Sequence, residues 1–262
     1  VSVSLDFQKL PGSGHITVAF YPLNGFANYA SPTVAELNAA TPTAAQFSKS
    51  ISWNDFGLGV QASNTIDDPS ISDIGNVTDR GAAQYGGTVS FYYPNAFDDN
   101  SNSYSLTHDA VGAPRTPGYM VIRIDGLKPT SQAFAAGDYV HVMQVLSDGQ
   151  TNSITGEEAF RYTVTWLQQG NLAVYTVVRD ATNTVVTPAT VSAAAESSGR
   201  ILGTLNGREY TNGLVWSSSD DAVVRVTNAG VYTVTGASNA TATITAKDPY
   251  TAATDTTALT VS

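Results

Sequence analysis

The sequence predicts a mainly β protein: an antiparallel sandwich or barrel carrying one or two short helices, followed by a second β-sandwich. Three observations support this. Apolar residues recur at every second position through most of the chain, the period of strands with one buried face. Helical start signals are few, and the segments behind them are short. After residue 179 the composition shifts to Thr, Ser, Ala and Val with no Phe, and turn residues punctuate strand-length runs. That shift places a domain boundary between residues 1–179 and 180–262, the latter about as long as an immunoglobulin-like sandwich.

Taken in order, VSVSLDF at the start alternates Val1, Val3, Leu5 and Phe7 with polar neighbours. It reads as a strand, or as an arm that becomes one by pairing elsewhere. Pro11 to Gly14 breaks it, and HITVAFYP then turns Ile16, Val18 and Phe20 inward. At residues 31–37, Ser31 can cap, Pro32 suits a first helical position and Glu36 opposes the helix dipole, so one short helix is expected before the TPT at 41–43. QFSKSISW places Phe47, Lys49, Ile51 and Trp53 on one face and serines on the other, which predicts a strand.

The stretch 54–87 comes next and is long, polar and Gly-rich, yet two strand signals bracket it. Loops longer than about 15 residues are commonly functional arms. Its apolar residues Phe56, Leu58, Val60, Ile66, Ile71, Ile74, Val77 and Tyr85 fit neither helical nor strand spacing for long. They are therefore candidates for contact with a neighbouring subunit, as in a hairpin extension that reaches outward; a loop folded back on its own domain is the alternative.

GGTVSFYYP leaves the loop as a strand, and residues 98–110 suit a helix with Tyr104, Leu106 and Ala110 on one side. In GYMVIRID, Met120, Ile122 and Ile124 face one way while Arg123 and Asp125 face the other. DYVHVMQVL is apolar on both faces and reads as central. EEAFRYTVTWLQ sets Phe160, Tyr162, Val164 and Trp166 inward with Glu157, Arg161, Thr163 and Thr165 on the wet side; after a Gln-Gln-Gly-Asn turn, LAVYTVV completes the set.

Composition excludes several functions. The net charge is −10, with 8 basic and 15 acidic residues up to position 179 and 4 and 7 after it. Twelve scattered cations do not make a phosphate-binding surface, which argues against specific DNA binding. Cysteine is absent, so neither disulfides nor thiolate metal sites are expected. No apolar run reaches the roughly 18 residues of a membrane span, and no export signal is expected at VSVSLDFQKL.

His15, His108 and His141 lack metal-ligand spacing, and His15 and His141 read as structural imidazoles inside strands. No nucleophile elbow or phosphate loop occurs, and adjacent acids such as Asp67-Asp68 point to opposite faces of a strand, so no catalytic residue, cofactor or metal is expected. Asp98, Asn100, Asn102, Tyr104 and Asp109 follow the spacing of a calcium loop, but Ser103 stands where the turn wants Gly and Asp109 where Glu is usual.

LDFQKLPGSGHITVAFYPLNG, NVTDRGAAQYGGTVSFYYP and ITGEEAFRYTVTWLQQGNLAVYTVV resemble the tail tube (major tail) proteins of long-tailed, siphovirus-type bacteriophages of actinobacterial hosts. The WSSSD from Trp216, the V-x-x-x-G of Val226 to Gly230 and the ATITA from Ala242 resemble bacterial Ig-like modules of group 2, with Tyr210-Thr211-Asn212 departing where Pro is common.

The first resemblance implies a virion protein made in the host cytoplasm that stacks as hexameric rings into a tube conducting DNA. Partners would be copies of itself and the tail terminator, tape measure and distal tail proteins. It also implies that the loop 54–87 and the arm 1–7 reach the next ring, and that lumen acids, with Asp125 and Glu157 as candidates, repel passing phosphate. The Ig-like module would project outside, as a decoration or a weak contact to host-surface glycans, with Trp216 as its core tryptophan. Capsid decoration, a tail-tip protein and a bacterial surface adhesin are the alternative classes, and a carbohydrate-active enzyme lacks a separated acid pair.

Overall fold

The computed structural model describes residues 14–62, 65–67, 78–80, 84–97, 99, 101–123, 128–153, 159–180 and 182–262, with backbone alone at 65–67, 78–80 and 153. The fold is mainly β, as expected. It divides into two compact units: one runs to Ala30 and adds Glu36–Ala133 and Val140–Thr176, the other comprises Ser31–Ala35, Phe134–Tyr139 and Val177–Ser262. The arm expected at 1–7 lies outside the described residues.

In chain order, the elements up to residue 177 are β1 (Thr17–Pro22), α1 (Val34–Asn38), α2 (Ala44–Lys49), β2 (Ile51–Phe56), β3 (Gly59–Gln61), β4 (Thr65–Asp67), β5 (Thr78–Arg80), β6 (Gln84–Tyr92), α3 (Ser103–Val111), β7 (Pro117–Arg123), β8 (Tyr139–Ser153) and β9 (Arg161–Val177). The main sheet has the order β1-β7-β8-β9-β6-β2, with β3 also paired to β6, while β4 and β5 form a separate ribbon. Phe20 on β1 and Trp166 on β9 bring their ring centroids to 5.6 Å. Strands about 4.8 Å apart in a flat sheet would hold them near ~14 Å. The sheet therefore curls around its core.

That core joins Val18, Phe20, Met120, Met143, Tyr162, Val164 and Trp166 from the strands to Phe47 of α2 and Val111 of α3. Each such side chain, fully buried, contributes roughly 1.5–3 kcal/mol. The alternation read in residues 162–166 is thus observed; in β1 Val18 and Phe20 face this core as expected, but Ala19 and Tyr21 on the other side are buried too, and β8 is central as its two apolar faces required.

Several expectations are corrected. Residues 44–49 are helical, because Thr43 accepts from the Gln46 N–H while the Gln46 side chain accepts from the Thr43 N–H, a reciprocal cap that the strand reading overlooked. The first helix starts at Val34 rather than at Pro32, and Thr33 instead bridges to Arg179. In α3 the buried residues are Ser105, Thr107 and Val111, not Tyr104, Leu106 and Ala110. Arg123 is fully buried, its guanidinium donating to the carbonyls of Pro129, Gln132 and Ala133 and to Thr17 Oγ1. Phe160 is exposed.

The expected turn at residues 168–171 is instead continuous strand within β9. There the Tyr85 hydroxyl accepts from the N–H groups of Gln169 and Gly170 at 3.0 and 2.7 Å, so the strand's polar groups are met without reversing the chain.

The second unit contains β10 (Val185–Val186), β11 (Thr190–Ala193), β12 (Ser198–Arg200), β13 (Thr204–Leu205), β14 (Arg208–Glu209), β15 (Val215–Ser218), β16 (Val224–Val226), β17 (Val231–Val234), β18 (Thr241–Lys247) and β19 (Thr254–Val261). They form sheets ordered β10-β13-β14, β11-β19-β18-β15 and β12-β17-β16, with β11 and β19 parallel. Ala242, Ile244 and Ala246 alternate inward against Thr neighbours and meet Trp216, Leu214, Val224, Leu259 and Val261 in one core. Trp216 is buried, its indole N–H donating to the Thr211 carbonyl at 2.9 Å. Its place is in the core, as expected.

The short segments complete this unit. Val178 pairs with Gly137 and Asp138 through N–H···O bonds of 2.9 Å each, and Arg179 with Pro32 and Val34 at 2.9 and 2.8 Å. Tyr139 packs against the core and donates its hydroxyl to the Glu209 carbonyl.

Candidate assembly surfaces

Where it is described, the stretch between β2 and β6 is mostly strand. β3 continues alongside β6 through the pairs Gly59↔Gly86, Val60↔Tyr85 and Gln61↔Gln84, and the β4–β5 ribbon pairs Thr65↔Arg80 to Asp67↔Thr78. Two glycines make the entry possible. Gly86 and Gly87 hold φ of 124° and 129°, and a Cβ on Gly87 would collide with the Gly57 carbonyl oxygen.

Of the residues singled out in this stretch, Leu58 and Tyr85 belong to the first unit's own core, and Phe56 is half-buried against it. Val60 is exposed. Ile71, Ile74 and Val77 lie outside the described residues, as does the side chain of Ile66; Asp125 and Glu157 lie outside them too.

The ends of the main sheet are treated differently. On β1 the Ser48 hydroxyl of α2 accepts from the Val18 N–H and donates to the Val18 carbonyl, both at 2.8 Å, so a side chain blunts that edge. On β2 the register shifts between Ile51↔Phe91 and Phe56↔Val89, and Trp53 stands exposed on the intervening bulge. Between these edges lies a groove of about 500 Å³ lined by Ile16, Val18, Lys49, Ile51, Trp53 and Phe56 among others.

The face of β6 and β9 away from the core carries hydroxyls, of which Thr88 is exposed and Ser90 buried. Thr88 pairs with Thr165 and Ser90 with Thr163, and the Ser90 and Thr163 hydroxyls bond each other at 2.6 Å. Arg161, next along that face, donates to Asp55 at 2.7 Å and to Ser52 Oγ at 3.2 Å.

Elsewhere in this unit His108 lies among the rings of Tyr93, Phe97 and Tyr162, with Phe97 exposed. Burial pushes the Tyr162 hydroxyl well above its ordinary range. His141 packs edge-on to Tyr175 at 4.7 Å, and burial lowers its pKa, as suits a structural imidazole. In the stretch that resembled a calcium loop, the Asn102 side-chain Oδ1 accepts from the Tyr104 N–H and caps α3, while Asp99 takes the Ser101 N–H and hydroxyl. Asp98 and Asn100 lie outside the described residues, and among those described no three His, Asp or Glu side chains gather as metal ligands.

In the second unit Arg179 and Asp248 form a buried ion pair, with Nε and Nη2 donating to the two carboxylate oxygens at 3.1 and 2.9 Å. Thr251 donates to the same carboxylate at 2.7 Å, and the rings of Tyr210 and Tyr250 lie 5.5 and 4.8 Å from the guanidinium carbon. Burial alone would raise the Asp248 pKa, but the Arg179 and Thr251 hydrogen bonds outweigh it and hold the group below the usual carboxylate range. Burial likewise opposes the charge on Arg179, and Asp248 restores it. No spacing or motif signals this pair, whose members are 69 residues apart.

A family model described as phage tail tube protein matches residues 5–181. No curated protein matches the chain.

Proposed function

Because the chain belongs to the phage tail tube protein family, we propose that it stacks as hexameric rings into the tube of a siphovirus-type tail, through which DNA passes from capsid to host. Membership makes it a structural component of the virion that assembles with copies of itself and other tail proteins, and not an enzyme. The observation that carries the finer reading is the β4–β5 ribbon, a two-stranded sheet set apart from the main one. Two strands alone are marginal in water, so a surface of the next ring is the natural support for it. Exposed Val60 lies at its base, and Ile66, Ile71, Ile74 and Val77 supply the apolar side chains of the contact. The arm 1–7 makes another.

Residues 180–262 are then an Ig-like module of group 2 displayed on the tail exterior, in a phage of an actinobacterial host. The buried Trp216 and the alternation of β18 support that reading. Tail terminator, tape measure and distal tail proteins are the partners at the tube's ends and within it. Asp125 and Glu157 add negative charge that keeps phosphate from settling in the lumen.

Electron microscopy of the concentrated chain tests the proposal: tubes with a regular axial repeat are expected, and compact monomers at every concentration contradict it. Deleting residues 63–78 is expected to abolish or shorten the tubes while far-ultraviolet circular dichroism stays β-rich. Tubes of unchanged length would remove the loop from the ring-to-ring contact.

A further inference from the structure

We propose that the hydroxyl face of β6 and β9 is the wall of the tube's lumen, a neutral surface past which the phosphate backbone of DNA slides without being held. The inference rests on the conduit reading above and assigns the wall to Thr88, Thr163 and Thr165, on the side of the sheet away from the core, with Ser90 buried beneath its bond to Thr163. The opposite end of the sheet is unsuited to that role. On β1 and β7 the residues pointing away from the core, Ala19, Tyr21, Val121 and Arg123, are themselves buried. Tyr21 donates to the Leu37 carbonyl at 2.7 Å and Arg123 to the carbonyls of residues 129–133, so other chain covers that surface. On β6 and β9, by contrast, Thr88 is exposed and Thr163 and Thr165 are half-buried, although Ser90 between them is buried.

The chemistry of these side chains fits a polyanion in transit. Fixed cations bind DNA by releasing its counterions, each neutralised phosphate strengthening the hold. Thr and Ser hydroxyls carry no charge, and a bond from one of them to phosphate replaces one to water with little net gain. Thr163 already bonds the buried Ser90, which reduces what it offers a ligand. The adjacent cation, Arg161, faces Asp55 at 2.7 Å and presents an ion pair rather than a bare charge. Lumen acids such as Asp125 and Glu157 repel DNA from a distance; the hydroxyls are indifferent to it at contact, which matters once a duplex touches the surface.

The chain has no cysteine, so Thr88→Cys and Thr165→Cys each introduce a single thiol. In the dissociated protein both thiols are expected to react with a small maleimide and with a maleimide on a polymer too wide to enter the tube. In assembled tubes only the small reagent is expected to react. Labelling of tubes by the bulky reagent would put the face outside, and labelling by neither would make it a contact between copies; either result overturns the proposal. Failure of the unmodified chain to form tubes sinks the conduit reading as well, whereas a wrong labelling pattern in tubes that do form sinks the lumen assignment alone. Should Thr165→Cys disturb folding, the exposed Thr88 carries the test. Particles bearing Thr88→Lys and Thr165→Lys are expected to release DNA more slowly, the difference shrinking as salt rises. Equal release at low salt contradicts the assigned role.

Discussion

Arg179 and Asp248 are both removed from water, with side chains 1% and 0% exposed. Each alone would be an uncompensated buried charge, and losing one partner of such a pair costs about 3–5 kcal/mol. Asp248→Asn is therefore expected to destabilise the second unit by about that amount in urea denaturation. The pH response follows from the direction of the shift. The folded-state pKa of Asp248 is depressed, so the pair's contribution is complete above the unfolded value of about 3.9 and is lost as pH falls through the lower folded value. Acid unfolding of the unmodified chain should thus steepen in that range and that of Asp248→Asn should not; identical acid limbs would show that the pair does not set the response. None of this was legible in the sequence, where Asp248 stands in a DPY turn and Arg179 beside a boundary. Arg123 differs for another reason: alternation assigns a face but not what covers it, here the carbonyls of residues 129–133, which fold back onto the guanidinium.

Strands with one apolar face were readable because period-2 burial leaves its mark on every second residue, as in Tyr162, Val164 and Trp166. The misreadings fell where one hydrogen-bonding side chain outweighed pattern. α2 has the alternation of a strand from Phe47 to Trp53, yet the Thr43 and Gln46 cap fixes its first turn as helix while Phe47 still reaches the core. Gln-Gln-Gly-Asn has turn composition, yet Tyr85 satisfies two amides there and β9 runs on. At Gly87 the backbone lies where side chains are strained and the Gly57 carbonyl fills the site of a Cβ. Gly87→Ala is expected to cost about 1–3 kcal/mol, from strain and displacement of β3, with faster hydrogen exchange in β3 and β6 than elsewhere. A stability unchanged within error would mean that this crossing tolerates a side chain. Of the candidate contact residues, Leu58 and Tyr85 serve the unit's own core; spacing alone could not separate them from Val60.

At the scale of the molecule, the second unit is assembled from three stretches of chain, Ser31–Ala35, Phe134–Tyr139 and Val177–Ser262. A fragment of residues 180–262 lacks Val177, Tyr139 and Arg179, leaving Asp248 buried without its cation. Such a fragment is expected to be at least about 3–5 kcal/mol less stable than the same region in the full chain, read as amide protection of β18 and β19. Equal protection would show the flanking segments to be dispensable. The consequence reaches beyond stability to inheritance. A recombination event cutting at residue 180 would import a module whose flank is woven from stretches encoded far upstream, so exchange between lineages must carry those short stretches with it or leave the newcomer frayed. Foreign peptides are better carried on the exposed turn between β17 and β18, where nothing borrowed from upstream is disturbed.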